Sequence, residues 1–255
     1  MSAQHHCARV NGRCNRCDSP VPFAFTIAFQ PIVNVSQRRI IYYEALVRGP
    51  GGESAFSILE QVTDDLLYQF DQACRIRAIE LASELGMQER LSINFLPNAV
   101  YEPKACIQAT LETAHRVGFP TDRLNFEITE TERVKDRAHM RTIIESYREM
   151  GFTTSLDDFG NGYANLDLLT DLRPDTLKID RELVMQCDSD ERRQAILRSL
   201  VALANTLGTQ LIAEGVETRE ESRCLLALGI PAQQGYYFSY PNLEALAVID
   251  DAKYD

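Results

Sequence analysis

Positive charge is what this chain is short of. Lysine and arginine number 26 against 37 aspartates and glutamates, a net charge of −11 over 255 residues. Coating nucleic acid or an anionic membrane relies on a Lys/Arg surplus, so that class is excluded and DNA is not an expected partner. Long apolar runs are missing too. No stretch reaches the roughly 18 residues of a membrane helix, so no membrane span is expected. No apolar signal-like segment follows the N-terminus, and the seven cysteines are an odd number. Together these set the expectation of a reducing, cytoplasmic compartment. Internal repeats, low-complexity runs and interior linkers are absent. What is there is ordinary globular composition, 45% hydrophobic and 25% charged, with ample length for a large core. The excess of carboxylates asks for an explanation.

Residues 1–22 read as a tail, short of large apolar residues and broken by Asn11-Gly12 and Asp18-Ser19-Pro20. Residues 23–255 read as the folded domain. Within the tail, His5, His6, Cys7, Cys14 and Cys17 include a Cys-x-x-Cys pair. With Cys7 this pair has the chemistry for one tetrahedral Zn²⁺, although the usual second pair is missing. A metal or redox knuckle and a functionally quiet tail both stay open. The scattered Cys74, Cys106, Cys187 and Cys224 read as small buried apolar side chains.

From Phe23 onward, short β-rich runs alternate with helical ones. The strand candidates are 28–33, 40–47, 91–96, 124–128, 153–157, 176–179, 210–213 and 235–239. Helical stripes lie between them: Phe70, Cys74, Ala78, Leu81 and Leu85; Ile107, Leu111 and Ala114; Met140, Ile143, Tyr147 and Met150; Ile196, Leu200, Leu203 and Leu207. Thr218 with Glu221 three residues on reads as a capping box. About eight strands alternating with helices predict an α/β fold of the (β/α)8 barrel type. One junction breaks the pattern. Only residues 34–39 separate the first two strands, too few for a parallel crossover. Those strands must form a hairpin, so the expectation is a modified TIM barrel with one antiparallel strand.

The polar residues in or just after these strands are Glu44, Asn94, Glu127 and Glu130, Asp157 and Asp158, Lys178 and Asp180, Glu214 and Glu217, and Gln234. In a barrel such residues converge on one mouth. A single carboxylate there is ordinarily a helix cap or a solvated charge. So many in one concavity repel one another unless cations neutralise them. Oxygen ligands without histidine favour Mg²⁺ or Mn²⁺. Asp157-Asp158 can serve two ions, an arrangement that activates water and holds a phosphoester for in-line displacement. Lys178 is placed to act on the attacking water or to stabilise phosphorane charge. The residues alone thus lead to a metal-dependent phosphoesterase of unspecified substrate.

Tyr43-Glu44-Ala45-Leu46-Val47-Arg48 resembles the signature that names the EAL domain, the family of cyclic di-GMP phosphodiesterases. The resemblance runs from about Phe25 to Pro241. It is carried further by Gln30-Pro31-Ile32-Val33, Asn94-Phe95-Leu96, Glu127-Ile128-Thr129-Glu130, Asp157-Asp158-Phe159-Gly160, Lys178-Ile179-Asp180, Ala213-Glu214-Gly215-Val216-Glu217 and Gln234-Gly235-Tyr236. It implies a barrel with an antiparallel strand. It also implies hydrolysis of cyclic di-GMP to linear 5′-pGpG with two Mg²⁺ or Mn²⁺ ions, lowering a bacterial second messenger. By motif, Glu44, Asn94, Glu127 and Asp157 would bind the first ion. Asp157 and Asp158 would hold the second, with Glu214 acting directly or through water. Lys178 would be general base or electrostatic stabiliser. Gln30, Val47, Arg48, Asp158, Gln234, Gly235, Tyr236 and Tyr237 would line the substrate groove, and Glu130 and Glu217 would support loops. The resemblance also implies a homodimer. The chain departs from the pattern at Asn161 and Asn165 and at Phe238-Ser239-Tyr240-Pro241, and the Cys/His tail lies outside it. The alternative is a weak or inactive module that binds cyclic di-GMP or a protein as a sensor.

Overall fold

Runs such as Thr26–Asn34 carry apolar side chains on both faces, which suits strands covered on both sides. The computed structural model describes residues 9–10, 13–14, 20–96, 100, 102–129, 137–161 and 166–255. The strands are β1 (Thr26–Asn34), β2 (Arg39–Arg48), β3 (Arg90–Phe95), β4 (Leu124–Thr129), β5 (Thr153–Phe159), β6 (Thr176–Ile179), β7 (Gln210–Ala213) and β8 (Ala232–Gln234). They pair in chain order, and β8 returns to β1 to close a barrel. The pairs from β2 through β8 are parallel. β1 runs antiparallel to both neighbours. The expected modified TIM barrel with one reversed strand is what forms. The turn joining β1 to β2 is tight, with Arg38 in left-handed backbone at φ 52°.

The helices are α1 (Ala55–Leu59), α2 (Leu67–Glu84), α3 (Pro103–Cys106), α4 (Gln108–Val117), α5 (Arg137–Glu149), α6 (Leu166–Leu172), α7 (Arg181–Val184), α8 (Glu191–Leu207) and α9 (Arg219–Ala227). Asp190 caps α8 by accepting from the amides of Arg192 and Arg193. Thr218 and Glu221 form the expected capping box on α9.

Strand alternation sorts the interior. Outward residues of β3 and β4 meet the helical shell. Phe126 packs on Tyr147 at 4.9 Å and on Phe152 at 5.1 Å between ring centroids. Emptying such an aromatic site costs about 3–5 kcal/mol. The inward residues are of two kinds. Ile32, Tyr42, Ile212 and Ala232 form a small apolar cluster apart from the main core. On the β3–β6 side the lumen is polar, with Ser92, Asn125, Ser155 and Lys178 buried.

Three expectations change. The eighth strand is Ala232–Gln234 rather than 235–239, which forms a turn. Gly235 passes so close to the Val216 backbone that any Cβ would collide with it. A further strand, β9 (Asn242–Leu243), adds antiparallel to β1. On α8 the buried face is Leu197, Leu200 and Ala204, while Ile196 and Leu207 are exposed. Apolar residues occupy both edges of that stripe, so periodicity alone chose the wrong edge. Of the four scattered cysteines, Cys106 and Cys187 are buried, and Cys74 and Cys224 are half-buried. In the tail, Arg9–Val10 pairs antiparallel with Arg13–Cys14. His5, His6, Cys7 and Cys17 lie outside the described residues.

Candidate functional site

The barrel delivers its inward side chains to one end. Glu44 of β2, Glu127 of β4, Asp157 of β5, Lys178 of β6 and Glu214 just beyond β7 meet there. Lys178 is the centre. Its Nζ lies 2.7 Å from Glu214 Oε1, 2.8 Å from Glu127 Oε2, 3.1 Å from Asp157 Oδ1 and 3.4 Å from Glu44 Oε2. The ammonium is completely buried.

An amide relay orients Glu44. Its Oε1 accepts from Asn94 Nδ2 at 3.0 Å, and its Oε2 accepts from Gln234 Nε2 at 2.6 Å. Gln234 Nε2 also reaches Gln30 Oε1 at 3.2 Å, and Gln30 Nε2 donates to the Ser239 carbonyl at 3.2 Å. The hairpin register sets Gln30 directly opposite Glu44. The reversed β1 therefore adds a residue to the mouth that a parallel strand of the same sequence would direct elsewhere.

Asp157 and Asp158 pose a geometric problem, because consecutive strand residues face opposite ways. The backbone solves it. The β5–β6 register shifts between Leu156 and Phe159, and Asp158 takes left-handed backbone at φ 55°. A non-glycine residue there costs about 1–3 kcal/mol. Ligand atoms of Asp157, Asp158 and Glu214 thereby lie within 4.8 Å of one another, as do those of Glu44, Glu127 and Asp157.

The charges do not balance. Burial pushes the Glu127 carboxyl up to about 8; Lys178 opposes the rise and Glu44 and Asp157 add to it. Burial raises Glu214 well above its usual range, against the pull of Lys178. Asp158 rises to about 6 through burial and the charges of Asp157 and Asp180. Burial works to lower Lys178, but Asp157, Glu127, Glu214 and Glu44 outweigh it and hold the ammonium well above its ordinary value. Two buried amide oxygens in this neighbourhood, Asn94 Oδ1 and Gln234 Oε1, have no hydrogen-bond donor. An oxygen-rich pocket with surplus negative charge and acceptors lacking donors fits hard divalent cations.

The remaining candidates divide. Arg48 is half-buried and its Nη1 donates to the Val47 carbonyl at 2.7 Å. Tyr236 is exposed and stacks on Tyr240, centroids 4.3 Å apart. Tyr237 is engaged elsewhere, its ring against Phe238 and beneath the Lys253 ammonium at 4.4 Å. Glu217 is exposed and ion-paired with Arg181, tying the loop after β7 to α7. Asn161 donates its amide to the Asp158 carbonyl at 3.1 Å. Glu130 and Asn165 lie outside the described residues. Sequence reasoning missed Ser92, whose hydroxyl donates to Glu127 Oε1, and Asn125 behind it. Each stands two places before a chosen residue, and strand alternation carried that signal.

A family model described as the EAL domain matches residues 24–241. Among solved structures, a standalone versatile EAL protein from Vibrio cholerae O395, bound to c-di-GMP, is 46% identical with a TM-score of 0.89. The match covers 92% of this chain and 99% of that one. Klebsiella pneumoniae BlrP1, solved as a manganese/cy-diGMP complex, is 33% identical with a TM-score of 0.84, covering 91% of this chain and 60% of that one. Among curated proteins, the cyclic di-GMP phosphodiesterase RocR of Pseudomonas aeruginosa is 34% identical over 186 residues, 72% of this chain and 46% of RocR. The chain spans about half or less of the length of such curated relatives, from 55% down to 28%.

Proposed function

This chain belongs to the EAL domain family, and from that premise we propose that it hydrolyses one phosphodiester of cyclic di-GMP to give linear 5′-pGpG, using Mg²⁺ or Mn²⁺. The observation that carries the reading is the gathering of Glu44, Glu127, Asp157 and Glu214 around Lys178. Glu44, Asn94, Glu127 and Asp157 would hold one ion, and Asp157, Asp158 and Glu214 a second. Two such ions, when bound, supply Lewis-acid charge and lower the pKa of a water. Lys178 holds its proton firmly among four carboxylates, which supports a role as donor from Nζ to charge building on phosphoryl oxygens. Service as a base at Nζ would require that carboxylate charge to be neutralised first. Arg48 spends one Nη1 hydrogen bond on Val47 and keeps other guanidinium N–H groups for a phosphate oxygen. Gln30, Val47, Gln234, Gly235 and Tyr236 would complete the groove, while the Tyr237 ring is turned to Phe238 and Lys253. Glu217, paired with Arg181, would brace the loop after β7, a bracing role that the family resemblance also gives Glu130.

The same reading takes the protein to a cytoplasmic homodimer in bacterial signalling; residues 1–22 lie outside the family match, and for them Zn²⁺ on Cys7, Cys14 and Cys17 stands beside a functionally quiet tail as the alternative. No helix among the described residues is long and apolar enough to cross a membrane. The test is nucleotide analysis after incubation of the protein with cyclic di-GMP and Mg²⁺ or Mn²⁺. The expected outcome is pGpG in both. No pGpG at micromolar enzyme with either metal overturns the reading, and tight binding without turnover moves the chain to a sensor role.

A further inference from the structure

Below the carboxylates the barrel stays polar where such cores are ordinarily filled by branched apolar residues. Ser92, Asn125 and Ser155 are at most 1% exposed. They stand two residues before Asn94, Glu127 and Asp157 on β3, β4 and β5, so they face the same lumen one layer down. Asn125 Nδ2 donates to Ser92 Oγ at 2.6 Å and to Ser155 Oγ at 2.8 Å. Ser92 Oγ in turn donates to Glu127 Oε1. A serine hydroxyl has one hydrogen. Because Asn125 fills the acceptor side of Ser92, that hydrogen is committed to Glu127. The other carboxylate oxygen, Oε2, meets Lys178.

The relay is confined to one half of the lumen. Across from it the barrel wall is Ile32, Tyr42, Ile212 and Ala232, apolar apart from the Tyr42 hydroxyl. Packing needs are met by apolar side chains on that half. The polar half therefore calls for a further reason; among the described residues it lies beneath Asn94, Glu127 and Asp157 and extends to Thr176 beneath Lys178. We propose that Ser92 and Asn125, braced by Ser155, are positioning residues that fix the orientation of Glu127 by holding its Oε1, so that Oε2 is presented to a divalent cation. This rests on the metal-dependent reading above. The general magnitude for such supporting partners is about 10–100-fold in metal affinity.

The test is calorimetric titration of Mn²⁺ into the nucleotide-free full chain. Ser92→Ala is expected to weaken binding about 10–100-fold, and Ser92→Thr, which keeps the hydroxyl, to restore it to within about 3-fold. Ile32→Val, which trims the apolar half, is expected to leave Mn²⁺ affinity unchanged. Ser92→Cys fills the same space with a weak donor and replaces Ser92→Ala if that variant does not fold. The proposal is overturned if Ser92→Ala or Ser92→Cys binds as the wild type does, if Ser92→Thr fails to restore binding, or if Ile32→Val weakens it equally. Wild-type hydrolysis measured in parallel separates the two readings. A wild type that hydrolyses and binds Mn²⁺ alongside unaffected Ser92 variants sinks only the positioning role. A wild type that binds no Mn²⁺ sinks the metal-dependent function and this role with it.

Discussion

Two buried cations in this molecule live under opposite rules. Arg75 on α2 faces Asp71 one turn earlier, Nη2 to Oδ2 at 2.7 Å, with both side chains 3% exposed. Asp71 Oδ1 also accepts the Leu96 amide at 3.0 Å. Lys178 is buried as deeply, but it faces four carboxylates. The first arrangement is a charge-balanced pair, one guanidinium to one carboxylate. The second carries surplus negative charge that no side chain among the described residues answers. Desolvating charges costs several kcal/mol per ion unless partners compensate, so a folded chain keeps an unbalanced cluster only where something outside it supplies the balance. Balance marks the architectural site and imbalance the chemical one.

The sharpest way to break that contrast is to remove one charge from the unbalanced cluster. Glu44→Gln keeps the acceptor for Asn94. Gln234 can turn its unpartnered Oε1 toward the new amide, giving up its 3.2 Å contact with Gln30 Oε1. Hydrolysis is expected to fall at least about 100–1,000-fold, the range for loss of one electrostatic contact in a reaction centre. The metal-free melting temperature is expected to hold or rise, because one repelling charge is gone. A drop of several degrees in the metal-free protein would show that the cluster stabilises the fold after all.

The balanced pair should behave in the reverse way. Arg75→Met leaves Asp71 buried with its charge uncompensated, at about 3–5 kcal/mol. For a chain of this size that lowers the melting temperature by roughly 6–20 °C. Below the new transition, kcat with saturating metal is expected within about 3-fold of the wild type, since Arg75 sits on α2 in the helical shell, paired with Asp71. Thermal unfolding and steady-state kinetics on the same preparation decide it. A large loss of kcat at unchanged stability would erase the distinction between the two cations.

Much of this was legible beforehand, for identifiable reasons. The six residues 34–39 between the first two strand candidates are too few for a crossover, which fixed the reversed strand. The mouth residues announced themselves because charged side chains inside otherwise apolar strands have few structural uses. Two kinds of feature were not legible. One is tertiary selection among equivalent patterns: α8 offers apolar residues on both edges, and only packing decides that Leu197 goes in and Ile196 stays out. The other is support by ordinary residues. Ser92 and Asn125 are common types; alternation puts them one layer below Asn94 and Glu127, but residue type alone gives them no role. The turn at Asp158 belongs with these, since neighbouring aspartates in a strand would face apart without a register shift that no local pattern announces.

The smallest expected effect concerns pH and again separates the two cations. In the metal-free chain Glu127 is raised to about 8 and Asp158 to about 6. A carboxyl raised in the folded state binds its proton more tightly there than in the unfolded chain, so stability grows as pH falls through the folded value. Lys178 is raised as well, but that contribution is complete below about 10.4 and stays constant over neutral pH. The metal-free protein is therefore expected to melt a few degrees higher at pH 6 than at pH 8.5. Saturating Mn²⁺ should reverse the sign, because deprotonated carboxylates bind the ion and protons compete with it. Asp71 is raised by burial but answered by Arg75, so Arg75→Met should steepen the metal-free slope, whereas Glu44→Gln should flatten it. Melting curves of the three proteins at two pH values, with and without Mn²⁺, test the sign. A metal-free wild type that loses stability on going from pH 8.5 to 6 would mean that the cluster's charges are balanced by something other than cations.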